Sequence, residues 1–282
     1  MKDGHVPVVV VTGGGGGMGL ECARELSDLG HVLLVDVDDA ALERAVSTLA
    51  RSDIVAESLH CDITAPDDIA RLAERVASLG ALRALAHTAG VSPMMAEPRL
   101  VLDVDLGGTI RLLDAMLPLA GTGTAVVCIA SIAAYSELPA VVTMLLDDPL
   151  SETFWDDLER ALGAEIDSGW AYMLAKHGVI RACERYAAEL GARGARIVAI
   201  APGLMDTEMG RLELSQQPVM VEMAAMTPVQ RDPSAPLPGR PEDIAATVAF
   251  LCSDRGSFIS GCDIRVDGGL IGASRSKLPP AE

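Results

Sequence analysis

The feature that most limits what this chain can fold into lies at its start. An apolar run over residues 6–12 stops in five consecutive glycines, Gly13 to Gly17, and passes at once into a helical pattern over 18–29. The run is strand-length. A helix that begins in glycine keeps backbone N–H groups free at its positive end, which suits a phosphate. Gly13, Gly17 and Gly19 are the positions where positive φ or close backbone approach to a pyrophosphate is needed. A flexible glycine linker would not be flanked by a strand and a helix in this way.

The same alternation recurs along the chain. Further strands are expected over 31–35, 54–59, 81–86, 124–130, 195–200 and 263–266. Helices are expected over 38–51, 99–119 and 169–190. Others open at Thr64-Ala65-Pro66-Asp67-Asp68, with Thr64 as the cap, and at Pro241-Glu242-Asp243. Strand, crossover helix and strand in this order dictate an α/β fold: a single-domain Rossmann-type doubly wound parallel sheet with helices on both faces. No repeat or linker divides residues 1–272. Two stretches interrupt the rhythm: an acidic and apolar insertion at about 137–168 and a Met- and Pro-rich loop at about 204–240. Long connections of this kind serve as lids or binding loops. Residues 273–282 are expected to fray as a C-terminal tail.

With 22 basic and 40 acidic residues, the net charge of -18 excludes nucleic acid and anionic membrane surfaces as natural partners. No apolar run approaches the roughly 20 residues of a membrane span. Residues 1–5 lead straight into the valine run, so no secretory signal is expected. The six cysteines are scattered without CxxC or Cys/His spacing and read as free thiols of a reducing compartment, the cytoplasm. His5, His31, His60 and His177 have no metal-ligand spacing, and no metal is expected.

Asp36 stands at the end of the second strand, where a carboxylate accepts both ribose hydroxyls of an adenosine and repels a 2′-phosphate. No Arg or Lys lies in the glycine loop, and Val37 follows Asp36. NAD is therefore expected over NADP. Tyr172-Met173-Leu174-Ala175-Lys176 sets a phenol and an ammonium four apart, on one helix face. Lys176 is expected to draw the Tyr172 pKa from its usual value towards neutrality. Ser131, at the end of the fifth strand, offers a hydroxyl to a substrate oxygen.

The sequence resembles the short-chain dehydrogenase/reductase family over nearly its whole length. The resemblance rests on Thr12, Gly13, Gly17, Met18 and Gly19; on Cys61-Asp62-Ile63; and on His87-Thr88-Ala89-Gly90. It continues through Ser131, Tyr172 and Lys176, through Pro202-Gly203 with Met205 and Thr207, and through Gly261 and Asp267-Gly268-Gly269. It implies cofactor contacts at Gly13, Gly17, Met18, Gly19, Asp36, Asp62, Ile63, Ala89, Gly90, Pro202, Gly203, Met205 and Thr207, with Tyr172 and Lys176 touching the nicotinamide end. It implies catalysis by Ser131, Tyr172 and Lys176. Asp105, in Val104-Asp105-Leu106-Gly107, takes the place of a family Asn that supports a helix kink and a proton path to the lysine, and by that match is expected as a fourth catalytic residue. His87 replaces another Asn and is expected to be structural. The distance from Ser131 to Tyr172 is far longer than usual and is similar to that of the bacterial 3α-hydroxysteroid dehydrogenase/carbonyl reductase branch. That implies altered subunit packing in a homodimer or homotetramer, with the dimer favoured.

The expected activity is NAD-dependent interconversion of a hydrophobic secondary alcohol, steroid-like ones included, and its ketone, with Tyr172 as general acid/base. Met94 and Met95 follow the fourth strand, and Met205, Met209, Met220, Met223 and Met226 lie in the 204–240 loop. Thioethers adapt to bulky apolar ligands, which makes Met94, Met95 and Met209 candidate pocket residues; ordinary core filling is the other use of such methionines. Two alternatives stand beside this reading. One is an NAD-binding regulatory or scaffold protein with impaired catalysis, for which Asp105 and His87 speak. The other is an NADP-dependent carbonyl reductase.

Overall fold

The structure, a computed structural model, describes residues 6–232 and 234–276. Seven strands, β1 (Pro7–Thr12), β2 (His31–Asp36), β3 (Ala56–His60), β4 (Ala81–His87), β5 (Ala120–Ile129), β6 (Arg196–Pro202) and β7 (Cys262–Val266), form one sheet. Every pairing is parallel, in the order β3-β2-β1-β4-β5-β6-β7. The chain changes direction across the sheet between β1 and β4. Ligands of doubly wound folds bind in the crevice that such a switch opens beyond the carboxyl ends of the strands.

The valine run of β1 is continuous because both of its faces are covered. Val8 and Val10 join Leu72 and Val76 of α3 (Pro66–Leu79), Leu112 of α5 (Thr109–Met116) and Leu174 of α8 (Ser168–Ala192). Val9 and Val11 face the other way. They meet Cys22 and Leu26 of α1 (Gly17–Leu26), Leu42 of α2 (Asp39–Ala50) and Val248 of α11 (Pro241–Cys252).

The structure departs from the sequence-based expectations in several places. Thr64 does not cap α3: its hydroxyl donates to Asp62 Oδ1 at 2.7 Å, Ala65 takes the N-cap position, and Pro66 with the acids of the first turn starts the helix. The helix expected over 99–119 is broken. It begins as α4 (Pro98–Leu102), widens into a π-helical turn at Asp103–Gly108, and resumes as α5. Gly107 and Gly108 are weak helix formers, and the widened turn is held by the Thr109 hydroxyl, which donates to the Asp105 carbonyl at 2.6 Å. Such turns recur at functional sites.

The insertion contributes α6 (Ala140–Leu145) and α7 (Phe154–Leu162), whose Val142, Phe154 and Leu158 are buried in the same core as α5 and α8. Asp147 clamps it to α8, accepting from Arg181 Nε and Nη2 at 2.8 and 2.6 Å. The 204–240 loop is largely helical, with α9 (Glu208–Gln216) and α10 (Pro218–Met226). The expected fraying from residue 273 is corrected as well, because α12 (Leu270–Ser276) runs past it. Leu270 is buried, and Asp267 accepts from the Gly269 and Ile271 amides, both at 2.9 Å. Residues 277–282 lie outside the described residues. No helix among the described residues is long and apolar enough to cross a membrane.

Candidate active site

The turn from β1 into α1 is folded so tightly that side chains are excluded from it. Gly13 has φ +66°, and a Cβ there would come within 2.7 Å of the Ala89 amide nitrogen; a Cβ on Gly19 would come within 2.1 Å of the Gly13 carbonyl oxygen. This brings the glycine loop against the Thr88-Ala89-Gly90 segment that follows β4. The Thr88 hydroxyl donates to the Thr12 carbonyl at 2.7 Å across the same junction. Met18 sits in the first turn of α1.

Asp36 closes the cradle on the β2 side. Its Oδ2 accepts from the Gly15 amide at 3.0 Å and its Oδ1 from the Asp38 amide at 3.1 Å, which fixes the carboxylate beside the loop. Asp38, rather than Asp36, caps α2. Asp62 and Ile63 follow β3; the Asp62 carboxylate holds its own turn through the Thr64 amide and hydroxyl, and Ile63 is buried. Pro202 ends β6, Gly203 and Met205 follow it, and Thr207 caps α9 by accepting from the Gly210 amide at 3.0 Å. These residues therefore lie at the carboxyl-end side of the sheet, and the cradle, the fixed Asp36 and the close loop junction fit a dinucleotide.

Beyond β5, a cavity of about 450 Å³ is lined by Ser131, Tyr172 and Lys176 together with Met18, Thr88 and Gly90 of the cradle. The rest of its wall includes Met205, Met209, Met220, Met223 and Leu237. Met94 and Met95 do not line it: they are 38% and 53% exposed in the turn after β4, so the structure does not bring them to this wall.

Ser131 precedes a short 3-10 turn whose Ala133 amide donates to its hydroxyl at 3.2 Å. Tyr172 and Lys176 are one turn apart on α8, with Nζ 5.4 Å from the phenol ring centre. Lys176 is buried. Its Nζ donates to the Ile129 carbonyl at 3.3 Å and lies 3.0 Å from Asp105 Oδ2. Asp105 Oδ1 accepts from the Val91 amide at 2.8 Å. Its Oδ2 has no well-aligned donor, so the contact with Nζ is Coulombic more than a directed hydrogen bond.

The electrostatics differ from the sequence-based expectation. Tyr172 is pushed above the ordinary phenol value, because burial disfavours the phenolate. Lys176 and the Ser131 hydroxyl oppose that push, and the negative charges of Asp105 and Glu213 add to it. Burial also works against the charged form of Lys176, but Asp105 and Tyr172 beside it prevail, and its pKa is raised. Asp105 is raised by burial, with Lys176 and the Val91 amide pulling it back. In the protein alone, then, Lys176 does not bring Tyr172 towards neutrality: burial outweighs it, and Asp105 offsets part of the ammonium's effect.

His87 is wholly structural in its contacts. Its Nδ1 faces the Thr12 hydroxyl at 2.7 Å and its Nε2 faces Thr109 Oγ1 at 2.9 Å. Since the Thr109 hydroxyl spends its proton on the Asp105 carbonyl, Nε2 must donate, and a neutral ring then accepts from the Thr12 hydroxyl at Nδ1. Burial and the charge of Lys176 depress its pKa to about 3. Sequence reasoning missed Glu213 and Gln217, which also line the cavity. Their spacing of four and eight from Met209 was the available signal.

The fold and this group of side chains define a dinucleotide-binding oxidoreductase. Family models agree: that described as short chain dehydrogenase matches residues 7–143, and that described as enoyl-(acyl carrier protein) reductase matches 161–271. The unmatched stretch falls within the insertion. The chain is 30% identical to a short-chain dehydrogenase/reductase of Alternaria brassicicola over 92% of this chain and 93% of the relative. It is also 30% identical to a cis-4-hydroxycyclohexanecarboxylate dehydrogenase of Sinomonas cyclohexanicum, over 93% and 95%. The solved structure of a short-chain type dehydrogenase/reductase from Mycobacterium ulcerans superposes with a TM-score of 0.73 at 28% identity, covering 94% of this chain and 90% of that one. The chain belongs to the short-chain dehydrogenase/reductase family and is an oxidoreductase of secondary alcohols and ketones.

Proposed function

We propose that the protein interconverts a secondary alcohol of largely apolar body and its ketone, with NAD as the hydride carrier. The observation that carries this reading is the shared cavity: Ser131, Tyr172 and Lys176 line the same space as Met18, Thr88 and Gly90 of the glycine cradle. Gly13, Gly17, Gly19, Ala89, Gly90 and Thr207 would hold the dinucleotide, and Asp36 would receive its adenosine ribose. The nicotinamide, when bound, supplies or accepts the hydride.

In the oxidising direction Tyr172, as phenolate, takes the proton of the substrate hydroxyl, and the Ser131 hydroxyl donates to the reacting oxygen. Lys176 stabilises the phenolate and would bind the nicotinamide ribose. A general base works best with a pKa near ambient pH, so the burial that raises Tyr172 must be offset when the site is filled. NAD is favoured over NADP because the Asp36 carboxylate is fixed by two amides at the rim of the cradle, where a 2′-phosphate would meet it. The methionines and Leu237 favour an apolar substrate body, with steroid-like alcohols included in the test panel. The full set of Ser131, Tyr172 and Lys176 speaks against a purely regulatory role. Six free cysteines support a reducing, cytoplasmic setting, and a homodimer or homotetramer is the assembly proposed.

The test is spectrophotometric reduction of NAD over a panel of secondary alcohols, steroids among them. Tyr172→Phe is expected to lose about 10²- to 10⁴-fold of the turnover. Undiminished turnover in that variant would overturn the assignment.

A further inference from the structure

Only two charged side chains line the cavity among the described residues: Lys176 and Glu213. Lys176 is already balanced by Asp105 at 3.0 Å, so the charge that an incoming substrate meets is that of Glu213. Glu213 sits on α9 four residues after Met209, so one helical face carries both to the cavity, and Gln217, just past the helix end, lines it as well. Met220 and Met223 of α10 and Leu237 make the wall beside it largely apolar. Glu213 is half-buried there, with the Ser92 hydroxyl as its neighbour. Burial raises its pKa, and Ser92 and the charge of Lys176 work the other way, in favour of the carboxylate. It is close enough to the reacting centre for its charge to act on Tyr172.

We propose that Glu213 is a specificity-determining residue: the substrate presents a hydrogen-bond donor, a hydroxyl or an ammonium, to α9, and alcohols bearing a carboxylate there are turned away. An anion pushed into this wall would face an unbalanced carboxylate across apolar surroundings, where charges are weakly screened. A donor would instead complete a charge-assisted hydrogen bond. The inference rests on the alcohol-oxidising reading above and narrows its substrate class.

The experiment compares three probes in wild type, Glu213→Gln and Glu213→Asp: trans-4-aminocyclohexanol, cis-4-hydroxycyclohexanecarboxylate and cyclohexanol. Both kcat/KM with NAD and calorimetric affinity for the NADH-loaded protein are read, each divided by its value for cyclohexanol. That division removes any general effect of Glu213 on Tyr172. Wild type is expected to favour the ammonium over the carboxylate by about 10- to 100-fold. Glu213→Gln should bring that ratio close to one, and Glu213→Asp should retain most of it. A ratio unchanged in Glu213→Gln, or a wild-type preference for the carboxylate, overturns the inference. Absence of turnover with every alcohol would instead count against the alcohol-oxidising reading, and the calorimetric ratio would still decide the role of Glu213.

Discussion

The Asp105 carboxylate lies 3.0 Å from the Lys176 ammonium, with both groups buried behind the face of Tyr172. An amide at position 105 would leave the full positive charge of Lys176 acting on the phenol; a carboxylate takes part of it away. The π-helical turn delivers Asp105 to that place, and the Val91 amide holds its other oxygen.

Replacing Asp105 by Asn should therefore lower the pKa of Tyr172, since the carboxylate is among the charges that raise it. The base is active when deprotonated, so the acidic limb of the pH profile for alcohol oxidation should move to lower pH. Measuring kcat/KM from pH 6 to 10 in wild type and Asp105→Asn checks the direction. Movement to higher pH would mean that Asp105 does not act through its charge. Asp105→Ala, which strands a buried ammonium, is expected to cost about 3 to 5 kcal/mol of stability.

His87 predicts an acid weakness. Its folded pKa of about 3 lies below the ordinary histidine value of 6.5, so the unfolded chain binds the extra proton first. The stability tied to the neutral ring is complete above pH 6.5 and is lost progressively as pH falls towards 3. Between pH 7 and pH 5 this amounts to about 2 kcal/mol. Urea unfolding at the two pH values should show that loss in wild type and a smaller one in His87→Asn, which cannot take up the proton.

Asp36→Ser should change cofactor choice. With the carboxylate gone, the repulsion of a 2′-phosphate disappears together with the paired acceptors for the ribose. The ratio of NAD to NADP affinity is expected to fall by about tenfold or more, read by fluorescence titration. A constant ratio would show that Asp36 serves only to anchor the Gly15 and Asp38 amides.

Much of this was legible in the sequence because the signals are local. Five glycines between a valine run and a helix can turn in few ways, and Tyr172 and Lys176 share a face by helical period alone. The fold followed from the repeated alternation for the same reason. What was hidden depends on packing. The break in the helix over 99–119 arises where Thr109 meets His87 at the carboxyl end of the central strand β4, 22 residues apart in sequence. Met94 and Met95 looked like pocket residues by position, but the turn after β4 carries them outward. Glu213 drew no notice in a stretch read as a Met- and Pro-rich loop, and only the folding of 204–240 into helices turns it to the cavity. Thr64 gave way as a cap because Asp62 offers its hydroxyl a nearer acceptor.

The insertion yields the last prediction. It is joined to the body through the apolar contacts of Val142, Phe154 and Leu158, through a two-pronged ion pair of Asp147 with Arg181, and through the looser pairs of Asp147 with Arg185 and Asp156 with Arg99. Asp147 and Arg181 are 30% and 26% exposed, so solvent screens them only in part. Fork-to-carboxylate geometry is the strong form of such a contact, yet pairs near the surface are worth little unless well held. Asp147→Ala should thus cost about 1 to 2 kcal/mol and loosen α6 against α8, leaving the apolar side of the insertion in place. Hydrogen exchange should rise in α6 and the turn that follows it, with β1 and β5 unchanged. Leu158→Ala, which opens a cavity in the shared core, should cost about 2 to 5 kcal/mol and raise exchange in α8 as well. If Asp147→Ala produced the larger effect of the two, the ion pair rather than apolar burial would be what holds the insertion to the fold.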